Sequence, residues 1–128
     1  MPLSAADSEL YDRARDASAN AHAPYSQFPV GAALRLRGGG VVTGVNVENG
    51  SYGMTSCAER NAVFTAIGSG QREFEAIAVH ADAASAPPCG ACRQVLAEFA
   101  PDLRVIWRRD GELVATPLSE LLPDRFVL

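Results

Sequence analysis

An α/β layered domain is the fold class this sequence predicts, and three observations carry the prediction. Apolar residues recur with helical period in three separated stretches, short strand-like runs fall between them, and Gly, Pro and Asn/Asp clusters punctuate the changes of period. With 128 residues, 48% of them hydrophobic and 20% charged, the chain suits a single domain spanning 1–128, able to bury a core without disulfide staples.

Taken in order, Ser4 followed three residues later by Asp7 reads as a helix start. Leu10, Tyr11, Ala14, Ala17 and Ala21 then keep the helical period, so this helix is expected to end before Pro24. Val30–Arg37 and Val41–Val47 read as two strands joined through Gly38-Gly39-Gly40, because consecutive glycines reach positive φ without steric cost. Glu48–Ser56 has no period and reads as a loop. A second helix is expected over Cys57–Ile67, stopped by Gly68 and Gly70. Phe74–His80 suits a central strand, Asp82–Pro88 a loop, and Cys89–Ala100 a third helix ended by Pro101. Leu103–Trp107 and Leu113–Ala115 then close as strands around an Asp110-Gly111 turn, and Ser119–Leu122 makes a final helical turn. No internal repeat, low-complexity tract or linker interrupts this pattern.

Charge narrows the function classes. A net charge of -4 and a pI near 5.1 argue against a nucleic-acid partner, whose phosphates call for a basic surface, and favour a small-molecule substrate. All eleven basic residues are Arg, which reads as coding bias. No apolar run approaches the roughly eighteen residues of a membrane span, and the N-terminus lacks the basic flank and apolar core of a signal peptide. No membrane association is therefore expected, and a cytoplasmic location is. Three cysteines cannot all pair within one molecule, and a reducing compartment leaves thiols free for metal or catalysis.

Two segments carry chemistry: Cys57-Ala58-Glu59-Arg60 opens one helix, and Pro88-Cys89-Gly90-Ala91-Cys92-Arg93-Gln94 opens another. At a helix N-terminus the macrodipole and free N–H groups favour a thiolate, the form that binds metal. Three thiolates can hold one Zn(II) and leave its fourth position for water, the mark of a catalytic site. Three anionic sulfurs would blunt the acidification of that water, and the helix N-termini with Arg60 and Arg93 are the positive partners available to temper them. Glu59, two residues past the first candidate ligand, is placed to shuttle protons.

Plainer readings compete. A fourth ligand from His22 or His80 would make the metal site a closed structural one, although neither has finger-like spacing from the cysteines. The CxxC pair alone suits a redox dithiol. Glu59 alone would be an ordinary carboxylate complementing the helix dipole. Asn46 and Glu48 suit a strand end and turn, and Phe28 before Pro29 suits a core position.

The pattern CAER followed by PCGACRQ, with Asn46-Val47-Glu48-Asn49 upstream and Phe28-x-Val30-Gly31-Ala32-Ala33 before it, closely resembles the small three-cysteine class of cytidine deaminases, from Pro24-Tyr25-Ser26 through Leu121-Leu122-Pro123. The resemblance implies a three-layer α/β/α fold around a mixed sheet of about five strands, and one zinc ion per subunit held by Cys57, Cys89 and Cys92. It implies hydrolytic deamination of cytidine and 2'-deoxycytidine, water attacking C4 while Glu59 carries protons to N3 and then to the amine. By the same resemblance Asn46 and Glu48 meet the ribose hydroxyls, Phe28 packs on the base, and the backbone of Ala58 reads the base edge. Tyr52 and Phe126 match aromatics contributed across subunit boundaries of a homotetramer with shared active sites. The chain stops at Leu128, short of the tail many members carry. A sibling deaminase acting on an aminonucleoside antibiotic such as blasticidin S shares the cysteine motifs, a zinc-stabilised binding module would lack the need for Glu59, and a polynucleotide editor conflicts with the acidic charge.

Overall fold

The structure is a computed structural model that describes residues 1–128. Its elements in chain order are α1 (Ala5–Ser18), β1 (Val30–Leu36), β2 (Val41–Val45), a single 3-10 turn at Tyr52–Met54, α2 (Ala58–Gly68), β3 (Phe74–Ala81), α3 (Gly90–Phe99), β4 (Arg104–Arg109), β5 (Glu112–Pro117) and α4 (Leu118–Leu121). The five strands form one mixed sheet in the order β2-β1-β3-β4-β5. Only β3 and β4 run parallel, which requires the crossover that α3 supplies; the other neighbours are antiparallel.

Side chains alternate across the sheet and so build two cores. On one face Leu10, Tyr11 and Ala14 of α1 cover Ala33, Ala76, Ala78, Ile106 and Ala115. On the other, Ala62, Val63 and Ala66 of α2 and Leu96 of α3 cover Leu34, Ile77, Val105 and Trp107. This is the expected α/β/α sandwich. Two glycines set its thickness. A Cβ on Gly31 would lie 2.0 Å from the carbonyl oxygen of Ala14, and one on Gly44 2.4 Å from that of Ala58, so each helix rides directly on the backbone of a strand.

The start of α1 follows the expected chemistry, with Ser4 and Asp7 forming a capping box. Its end does not. The helix stops at Ser18 rather than carrying its period to Ala21, because the chain turns to set His22 beside Val47, where the two backbones pair. Strand β2 ends at Val45 instead of Val47, since Asn46 turns its side chain to the Phe28–Val30 segment. The closing hairpin is longer than expected. Asp110 and Gly111, at φ +49° and +83°, form a two-residue loop whose twist suits the flanking strands and extends pairing to Arg109 and Glu112.

Candidate metal centre and pocket

Cys57 and Cys89 are the N-cap residues of α2 and α3, both in extended backbone geometry. Neither sulfur caps its own helix, which leaves both side chains free to point outward. Cys92, one turn into α3, is buried and faces the same point. The Cys57 and Cys89 sulfurs are 3.9 Å apart, those of Cys89 and Cys92 3.4 Å, and all three lie within 4.8 Å of one another. Tetrahedral zinc with Zn–S bonds of about 2.3 Å requires sulfurs about 3.8 Å apart, so donor type and spacing both fit the ion.

Neither histidine is placed to add a fourth protein ligand. His80 is buried on the α1 side of the sheet, its Nδ1 2.7 Å from the Tyr11 hydroxyl, and His22 lies beside Val47. The only group of three or more potential ligands is the cysteine trio, which argues against both the closed structural site and a simple dithiol.

Charge around the sulfurs is uneven. The Arg60 guanidinium sits 3.0 Å from the Cys57 sulfur. Hydrogen bonding from Cys92 and then from Arg60 pulls the Cys57 thiol down to about 5, while its hydrogen bond to Cys57 and burial push Cys92 up. Arg93 does not share this role. Its guanidinium donates to the carbonyls of Pro88 at 2.8 Å and Leu121 at 2.7 Å, tying α4 to the loop before Cys89. Glu59, in the first turn of α2, is 5% exposed. Burial, reinforced by the neighbouring Cys57 charge, pushes its carboxyl above the usual carboxylate range.

A cavity of about 460 Å³ opens onto this cluster. Cys57, Ala58 and Glu59 line it on the α2 side, with Val79 and Ala81 from β3 behind them and Ala86 and Pro87 in the loop before Cys89. The remaining wall holds Ser26, Phe28, Asn46 and Glu48. Phe28 is 44% exposed, so it belongs to this wall and not to the core. No Lys, Arg or His lines the cavity.

Asn46 and Glu48 reach the cavity already partnered. Asn46 Oδ1 accepts from the Val30 N–H and its Nδ2 donates to the Phe28 carbonyl, both at 2.9 Å. Glu48 accepts from the N–H groups of Tyr25 and Ser26 at 2.9 and 3.1 Å and from the Ser26 hydroxyl. These bonds, the hydroxyl's foremost, hold its carboxyl below the usual range. Tyr52 and Phe126 do not line the cavity and are 77% and 71% exposed; Tyr52 stacks edge-on against Tyr25. Ser26 and the Ser85–Pro87 stretch are cavity residues that sequence reasoning did not single out. A serine beside Pro-Tyr in an unpatterned loop carries no periodic signal.

The signature described as "Cytidine and deoxycytidylate deaminase zinc-binding region" matches residues 4–107. The chain is 49% identical over 120 residues to the cytidine deaminase of Halalkalibacterium halodurans, covering 91% of both chains. The crystal structure of the cytidine deaminase from Burkholderia pseudomallei superposes with a TM-score of 0.89 at 45% identity, over 97% of this chain and all of that one. The blasticidin-S deaminase of Bacillus cereus is 33% identical over 106 residues, covering 76% of both chains.

Proposed function

The chain belongs to the cytidine and deoxycytidylate deaminase zinc-binding family, and from that membership we propose a zinc-dependent cytidine deaminase whose one catalytic domain is residues 1–128. It hydrolyses cytidine, and 2'-deoxycytidine as well, to uridine or 2'-deoxyuridine and ammonia. The observation that carries this reading is a cluster of three sulfurs, two of which, Cys57 and Cys89, line one cavity together with the buried Glu59 carboxyl. The nucleoside reading over a nucleotide rests on the walls of that cavity. A 5'-phosphate would need a cation or a cluster of donors, and the cavity offers no basic side chain but does carry the Glu48 carboxylate. The likeness to cytidine deaminases at 45–49% identity, against 33% to the blasticidin-S enzyme, favours cytidine over an aminonucleoside antibiotic.

Cys57, Cys89 and Cys92 would hold the zinc, which when bound makes a water acidic enough to act as nucleophile near neutral pH. Glu59 carries the protons. Its raised pKa suits Glu59 to take one proton from the attacking water and deliver it to N3 as oxygen adds to C4, then to take the second proton from the oxygen now on C4 and pass it to the exocyclic amine as the C4–N bond breaks. One water is consumed and one ammonia released. The first-turn N–H groups of α2 lack intrahelical partners, so the backbone at Ala58 is free to read the base edge. Phe28 packs on the base, while Asn46 and Glu48 each retain hydrogen-bonding capacity beyond their present partners and meet the ribose hydroxyls. Arg60 tempers the thiolate charge. Tyr52 and Phe126 complete neighbouring sites in a homotetramer, which fits their exposure in the isolated subunit. Pyrimidine salvage in the cytoplasm is the setting; no helix is long and apolar enough to cross a membrane.

The test is an ammonia-release and absorbance assay of metal-quantified protein on cytidine, deoxycytidine and their 5'-monophosphates. Turnover of the nucleosides is expected at kcat/KM at least about 100-fold above the monophosphates. A preference for the monophosphates would overturn the nucleoside reading, and zinc-replete protein that releases no ammonia from any of them would overturn the activity.

A further inference from the structure

Phe28 and Glu48 both stand outside the named strands and helices, so no helix or sheet ladder fixes their orientation. The Ser26 hydroxyl meets both. It accepts from the Phe28 N–H at 3.0 Å and donates to Glu48 Oε2, making a chain from Phe28 N–H through the hydroxyl to the carboxylate. A hydroxyl has one proton to give, and here it goes to the carboxylate. On the other side, Asn46 Nδ2 donates to the Phe28 carbonyl at 2.9 Å, so both backbone polar groups of Phe28 are held by side chains. Between Ser26 and Phe28 the chain passes through Gln27 at φ +55°, the left-handed region that a non-glycine residue adopts at a cost, with the Gln27 N–H bonded to the Ala23 carbonyl at 3.0 Å. A turn of this kind holds its shape only when neighbouring bonds impose it.

We infer that Ser26 is a positioning residue for substrate: its hydroxyl orients the Glu48 carboxylate and the Phe28 backbone together, so that the sugar-facing and base-facing parts of the cavity are set by one side chain. The inference rests on the nucleoside-contact reading of Glu48 and Phe28 given above. A carboxylate has about four lone-pair sites, and Glu48 Oε1 accepts two N–H groups while Oε2 accepts the Ser26 hydroxyl. What remains is one acceptor position on Oε2, whose direction the hydroxyl dictates. Without it the carboxylate keeps its Oε1 bonds and pivots about them, and the Phe28 N–H loses its acceptor. Binding geometry suffers while the sulfur cluster and Glu59, on other elements, do not. The loss should therefore fall on KM and spare kcat.

Steady-state kinetics on cytidine with Ser26→Ala, Ser26→Thr, Glu48→Gln and the Ser26→Ala/Glu48→Gln double variant test this, each protein checked for zinc content and thermal midpoint. Ser26→Ala should raise KM about tenfold and change kcat less than threefold, and Ser26→Thr, which keeps the hydroxyl, should return KM to within threefold of the parent. In the Glu48→Gln background, Ser26→Ala should add less than a further threefold, because the two side chains act as a unit. An unchanged KM in Ser26→Ala beside a raised KM in Glu48→Gln overturns the role of Ser26 and leaves the Glu48 reading standing. Full additivity of the two substitutions also overturns it. An unchanged KM in Glu48→Gln removes the Glu48 reading and this inference with it.

Discussion

At Glu59 one carboxyl meets two opposing demands. The first turn of α2 sets it among N–H groups that favour the ionised form, yet burial and the adjacent Cys57 push its pKa up, and the balance lies with burial. A base poised above the usual carboxylate range is suited to returning the proton it takes. Glu59→Gln keeps the shape and removes the proton traffic, so kcat on cytidine should fall about 10³-fold while zinc content stays at that of the parent; a loss under tenfold would remove Glu59 from the mechanism. Arg60 acts on the metal site instead. Its guanidinium contacts the Cys57 sulfur at 3.0 Å, and partners of this kind, one bond removed from a metal, typically change metal affinity 10- to 100-fold. Arg60→Gln should surrender zinc to a chelator at about one-tenth of the concentration the parent needs. Equal chelator resistance would show that the contact does not temper the thiolates. Arg93 follows Cys89 by four residues much as Arg60 follows Cys57 by three, yet it bonds only carbonyls, so adjacency in sequence did not decide which arginine meets sulfur.

Among the elements, the helix–sheet contacts are set where side chains are missing. Gly31 lets α1 lie on β1, and Gly44 lets α2, which carries Cys57 and Glu59, lie on β2. Because the obstructing atoms are backbone, a methyl cannot be absorbed by a rotamer change. Gly44→Ala should lower the unfolding free energy by about 3 kcal/mol and displace the first turn of α2, reducing activity in the fraction that stays folded. A denaturation midpoint equal to that of the parent would show that α2 can move off β2 without cost. The same elements show what could be read from sequence. The Ser4/Asp7 capping box, the Asp110-Gly111 turn and both cysteine-led helix starts were legible because each is settled by chemistry within a few residues. The end of α1 was not, since it depends on His22 pairing with Val47, and neither was the end of β2, where Asn46 answers to residues 16 and 18 positions away. The three clustered cysteines and Glu59 carried a local pattern, whereas the Ser26–Glu48 bonds span 22 residues with no periodic trace.

Two properties belong to the molecule as a whole. The first is its response to acid. Burial would raise the pKa of Asp7, but hydrogen bonds from Arg104, at 2.6 and 3.0 Å, and from Ser4 outweigh it and hold the carboxyl below its ordinary value. A carboxyl depressed in the fold stabilises above its unfolded pKa and loses that contribution as pH falls through the folded value, hence below about pH 4. His80, whose pKa burial lowers, stays neutral where the unfolded chain takes up a proton, so stability should already begin to decline below about pH 6.5. Urea titrations across pH 7.5 to 3 should show both declines, and Asp7→Asn should flatten the lower one while costing about 2–3 kcal/mol at pH 7; an unaltered acid limb would discount the Asp7–Arg104 pair. The second property is assembly. Tyr25, Tyr52 and Met54 stand exposed beside the Glu48 wall, and Phe126, Val127 and Leu128 stand exposed past α4, although large apolar side chains grouped this way are rarely left in water. If the proposed homotetramer forms, sedimentation should give a particle of about four times the 13.5 kDa subunit mass, and replacing both Tyr52 and Phe126 with Ala should dissociate it and lower activity on cytidine by at least about tenfold. A monomer at micromolar concentration with undiminished turnover would mean that each cavity works alone.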